Sequence, residues 1–138
     1  MPKLIRLPKW ESLLDSFLHT NRSKSFQWGE WDCAIFSSKA IFAMTGTNLL
    51  SSLESTYSPE WAQSNATNIS SLMNPIVTEF EMVECFPNWT HRGDLILLSN
   101  LPSDPCLGIL GLNGMGVMVT GEGLKMVPRS RVLKGWHV

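Results

Sequence analysis

Phe26-Gln27-Trp28-Gly29-Glu30-Trp31-Asp32-Cys33, running directly into Ala34-Ile35-Phe36, decides how this chain is read, because it delivers one cysteine to the start of a helix. The first four amides of a helix have no partner within it. Aligned peptide dipoles add partial positive charge there, so a thiolate is favoured over a thiol. Such positions lower a cysteine pKa from about 8.5 to roughly 3.5–7.5. The pattern predicts a helix from Cys33 to Met44, with Asp32 capping its first turn and Gly46 ending it. The apolar residues Ala34, Ile35, Phe36, Ala40, Ile41, Phe42 and Met44 cover more than one stripe, as in a helix buried on most sides. Without its neighbours Cys33 reads as a small apolar packing residue; the aromatic-Gly-x-Trp-Asp approach makes it a candidate nucleophile.

Upstream, Trp10, Leu13, Leu14, Phe17 and Leu18 recur at i, i+3, i+4, i+7 and i+8, the stripe of an amphipathic helix. Downstream, Ser51 to Phe80 is rich in Ser, Asn and Thr and holds Pro59 and Pro75. Short helical pieces joined by turns are expected there, one of them opening at Pro59, and together they suit a lid or a cleft wall. Beyond residue 81 the period changes. Residues 82–86, 94–98, 107–110, 116–120, 124–127 and 132–136 are short β-prone runs separated by Gly, Pro, Asn and Asp, expected as an antiparallel meander. Helices first and a sheet afterwards give an α+β fold in a single domain, 1–138, with a mainly helical half over 10–80 and a mainly β half over 81–138.

With 138 residues, 43% of them apolar and 17% charged, the chain is long enough to bury a core and too apolar to be disordered. Eleven basic and twelve acidic residues leave no cationic block for nucleic acid, and no apolar run reaches the roughly 20 residues of a membrane span. The N-terminal residues lack a secretory pattern, so cytosolic synthesis is expected and the Asn-x-Ser/Thr triplets at Asn65, Asn68 and Asn88 read as coincidental. Cys33, Cys85 and Cys106 are widely spaced and odd in number, which writes neither a disulfide framework nor a paired metal motif. No cofactor is expected.

The ordered elements Trp28-Gly29-x-x-Asp32-Cys33, Met44-Thr45-Gly46, Arg92-Gly93-Asp94-Leu95, Leu107-Gly108-Ile109, Gly123-Leu124 with Pro128, and Gly135-Trp136-His137-Val138 resemble the NlpC-type cell-wall peptidases. Those are papain-like cysteine hydrolases of peptidoglycan stem peptides. Within them the chain looks closest to small proteins encoded among bacteriophage tail genes. The resemblance implies a papain-like fold in which N-terminal helices pack on a C-terminal antiparallel sheet of about five or six short strands. It also puts Cys33 at the nucleophile position.

At the position of the family's general base, a histidine ahead of the Gly-Ile of a sheet strand, stands Cys106; near the position of its orienting residue stands Thr120. A thiol cannot accept the proton and hold an orienting bond as an imidazole does. His91, before the Arg92-Gly93-Asp94 turn, and His137, in the last strand, are the remaining candidates for a base, while His19 ends the first helix as a solvated cation. If the sheet keeps its usual place, Cys33 and Cys106 would face each other and could form a disulfide outside the cytosol or hold a soft metal.

These readings point to a degenerate, structural component of a phage tail tip, assembled with other tail proteins in the host cytoplasm and carried in the virion. The alternatives are an active peptidoglycan peptidase or amidase using Cys33, and a small intracellular regulator or thiol-dependent transferase. Of the six Trp, Trp28, Trp31 and Trp136 are expected in the core, and Trp61 and Trp89 at an interface.

Overall fold

Described over residues 3–138 in a computed structural model, the chain places four helices ahead of six strands. The helices are α1 (Trp10–Thr20), α2 (Cys33–Thr45), α3 (Pro59–Asn65) and α4 (Ile69–Glu79); the strands are β1 (Glu84–Cys85), β2 (Leu95–Asn100), β3 (Ser103–Leu110), β4 (Gly116–Thr120), β5 (Gly123–Val127) and β6 (Val132–Trp136). The fold is α+β with one antiparallel sheet, as the sequence implies.

The expected caps form. Asp32 Oδ1 accepts from Ile35 N at 3.0 Å, and Gly46, left-handed at φ 76°, ends α2 by donating to the Phe42 carbonyl. Ser58 caps α3, with Pro59 in its first turn. α4 is longer than the proline-broken pieces expected, carrying Pro75 in its interior while Ile69, Met73 and Ile76 bury one stripe.

The strand order is β1-β6-β2-β3-β4-β5, which corrects the expected meander. β2 to β5 do follow it, but β6 returns to insert between β1 and β2, pairing Trp136 with Leu95 and with Glu84. β2 is thereby flanked on both sides, and Leu95, Ile96, Leu97 and Leu98 are all buried.

Its two faces serve different cores. Leu97, Leu107, Ile109, Val117 and Val119 pack with Phe36, Ile41 and Met44 of the helical layer. Ile96, Leu98, Leu110, Met118, Val127 and Val132 pack among themselves on the other face. β3 starts earlier than expected, at Ser103; that first half pairs only with β2, so its free edge tolerates Pro105.

Candidate functional site

The approach to α2 is a small closed loop. Gln27 and Trp31 exchange two backbone hydrogen bonds, of 3.1 and 2.8 Å, around Gly29 at φ 78°. The buried Asp32 carboxylate organises it, accepting from Gly29 N at 3.0 Å as well as from Ile35 N. From the segment before α3, the Tyr57 hydroxyl lies 2.7 and 2.8 Å from the two Asp32 oxygens. Nothing in the sequence pairs Tyr57 with Asp32; their separation of 25 residues hides the link.

Cys33 occupies the first turn of α2 and opens on a cavity of about 270 Å³. Its walls come from Trp28, Tyr57, Trp61, Asn65, Asp104 and Cys106, so the middle third does form one side of a cleft. The cysteine's chemistry is the reverse of what its position suggests. Burial pushes the Cys33 thiol up to about 12, and the Cys106 and Asp32 side chains push in the same direction. The backbone amides of Leu107 and Ala34 near the sulfur pull the other way, but desolvation wins. The Cys106 thiol is raised to about 11, also by burial.

The structure brings Cys33 and Cys106 to the same cavity, and both are free thiols. Among the described residues no histidine lines that cavity. His137 instead bonds Asp94 Oδ2 through Nδ1 at 2.8 Å and stacks on His91 with ring centroids 5.5 Å apart. Asp94 immediately precedes β2, whereas Cys106 lies opposite Leu98; the steps from Asp94 to Leu98 amount to about 13 Å of strand. Neither His91 nor His137 is brought to Cys33. Thr120 is not brought there either, because its hydroxyl donates to the Gly123 carbonyl at 2.8 Å and accepts from Glu122 N, closing the β4–β5 hairpin. His19 is exposed, as expected.

Asp94 itself is the second organising carboxylate. It is 1% exposed and accepts from Arg6 Nη2, Val138 N, His91 N and His137 Nδ1, tying residues near both ends of the chain to the start of β2. The Arg92-Gly93-Asp94 triplet is thus a turn into a strand, as expected. Trp31 and Trp136 are core residues, and Trp28 is only half-buried. Trp89 is exposed, but Trp61, expected at an interface, belongs to the cavity wall and packs on Tyr57 at 5.1 Å.

Helices carrying a first-turn cysteine against an antiparallel sheet define an NlpC/p60-type fold. The chain is similar to the crystal structure of the NlpC/p60 domain of the peptidoglycan hydrolase SagA, with a TM-score of 0.57, 13% identity, and coverage of 93% of this chain and 98% of that one. Residues 5–138 match the family described as "Domain of unknown function (DUF6950)", and the chain belongs to that family. No curated protein matches it in sequence. Among the described residues no helix is long and apolar enough to cross a membrane.

Proposed function

We propose that this domain keeps the cleft of a peptidoglycan cysteine hydrolase but lacks its proton acceptor, and that it works by binding, as a structural part of a phage tail tip. One observation supports the reading: the cavity onto which Cys33 opens is lined by Cys106 and, among the described residues, by no histidine, and burial there holds the Cys33 thiol up at about 12. General-base catalysis is worth roughly 10²–10⁴ in rate, and it needs a group of suitable pKa within hydrogen-bond reach. The aromatic and amide walls, Trp28, Trp61, Tyr57 and Asn65, suit a segment of peptidoglycan stem peptide held without being cut. Phe86 and Trp89, 78% and 68% exposed, supply apolar surface for neighbouring tail proteins. The tail assignment itself rests on the sequence resemblance.

The test compares the wild-type protein with Cys33→Ala on purified peptidoglycan, reading released stem-peptide fragments, together with mass spectrometry of purified virions. Equal absence of fragments and presence in virions are expected. Fragment release by the wild type alone would overturn the non-catalytic reading, and absence from virions would overturn the tail role. A second reading, hydrolysis by Cys33, draws support from the backbone amides of Leu107 and Ala34, which lower the thiol's pKa and would favour a thiolate.

A further inference from the structure

We infer that Cys85, Asp94 and His137 form a zinc site at the far end of β2 from the Cys33 cavity. The Cys85 sulfur, a carboxylate oxygen of Asp94 and a ring nitrogen of His137 all lie within 4.8 Å of one another. Around a tetrahedral zinc, with Zn–S of about 2.3 Å and Zn–N and Zn–O of about 2.0–2.1 Å, ligand atoms sit roughly 3.3–3.6 Å apart. The Asp94 and His137 atoms, 2.8 Å apart, would open by about 0.5 Å, and the Cys85 sulfur would close by little more than about 1 Å.

The backbone around them is fixed. Cys85 is held by the pairing of β1 with β6, opposite Gly135, and the His137 amide donates to the Val83 carbonyl. Asp94 is buried and clamped by Arg6 and Val138 through Oδ1; its Oδ2 accepts from the His91 amide and faces His137 Nδ1, the one of these contacts that a metal would replace. A thiolate, an imidazole and a carboxylate are the mixed donors that zinc accepts, whereas calcium and magnesium take oxygen sets. Burial raises the pKa of the Cys85 thiol, and the carboxylates of Asp94 and Glu84 press on it in the same direction while Arg129 opposes them; the carboxylates' negative field attracts a cation. Arg6 opposes it from one side of Asp94, at 3.1 Å.

Binding releases the Cys85 thiol proton to solvent. Where zinc takes Nδ1, the ring proton moves to Nε2 and the metal replaces the hydrogen bond between Nδ1 and Oδ2. The His137 side chain is 39% exposed, giving the ion a way in. Water completes the fourth position.

The experiment titrates metal-free full-length protein with Zn²⁺ and, as a spectroscopic probe, Co²⁺. One equivalent should bind, with a thiolate-to-cobalt charge-transfer band. Cys85→Ser should abolish that band, and Cys85→Ser and His137→Ala should each weaken Zn²⁺ binding at least about tenfold. Zn²⁺ at about a hundredfold excess over Kd should raise the wild-type Tm by on the order of 10 °C, and by much less in Cys85→Ser, a half-buried position where the substitution leaves the core intact. The double variant Cys33→Ser/Cys106→Ser should bind like the wild type. Binding that survives Cys85→Ser unchanged, or that disappears with the Cys33/Cys106 pair, would overturn the site.

Discussion

Alkylation of Cys33 by iodoacetamide reads directly on whether helix position or burial governs this sulfur. Its thiol is raised from 9.0 to about 12, and each step of one in pKa is about tenfold in the ionised fraction. Below pH 9 the thiolate population is therefore about a thousandfold smaller than that of an unhindered cysteine, roughly one sulfur in 30,000 at pH 7.5. Because only the thiolate reacts, and a higher-pKa thiolate is the stronger nucleophile, timed labelling with site-resolved mass spectrometry should give a rate at least about 30-fold below that of N-acetylcysteine. It should also climb about tenfold per pH unit with no plateau up to about pH 10. Poor access alone would slow the reaction without moving the plateau, so the pH slope isolates the electrostatic cause. A plateau at or below about pH 8 would refute the reasoning, since it would mean that the amides of Leu107 and Ala34 outweigh desolvation.

Three further outcomes follow from the same geometry. Removing the hydroxyl in Tyr57→Phe takes away a hydrogen bond to the buried Asp32 carboxylate and should cost about 1.5–3 kcal/mol in urea unfolding; no change would mean that the Tyr57–Asp32 contact contributes nothing net. Gly29→Ala meets both a left-handed φ of 78° and the Pro59 nitrogen 2.6 Å from the new Cβ, so a loss of about 1–3 kcal/mol is expected on denaturant unfolding, whereas Gly46→Ala, with open space around it, should lose less. The folded state holds the protons of Cys33 and Cys106 up to about 12 and 11, against 9.0 for a free thiol, so their contribution is full below about pH 9 and is lost as pH rises through about 11–12. Cys33→Ala should flatten the fall in unfolding free energy over that range by up to about 1.4 kcal/mol per pH unit, measured as urea midpoints at stepped pH.

What the sequence discloses here is local, and what it hides is distant pairing. The α2 cap at Asp32, the Gly46 stop and the Ser58-Pro59 start are readable because each is decided within one turn of chain. The switch to short β runs after residue 81 is readable from its period. The insertion of β6 beside β2 is not, because the register that joins Leu95 with Trp136 and Leu98 with Val132 leaves no mark on either run alone. The reactivity of Cys33 is hidden for a related reason. A helix start is visible in sequence, but the desolvation that overrides it comes from a cavity whose walls, Cys106 on β3 and Trp61 on α3, only the fold assembles. Cys85 and Asp94 carry no signal as a pair, because they meet each other and His137 only once β1, β2 and β6 lie side by side.

The late arrival of β6 also governs how the molecule comes into being. Until residues 132–136 have left the ribosome, β2 shows an unpaired edge made of Leu95, Ile96, Leu97 and Leu98, a template for adhesion between nascent chains. Closure then joins positions far apart, as the Arg6 bond to the Val138 carbonyl across 132 residues illustrates. Such non-local closure is slow, so yield during expression should depend on chaperone supply and temperature more steeply than the finished domain's stability would suggest.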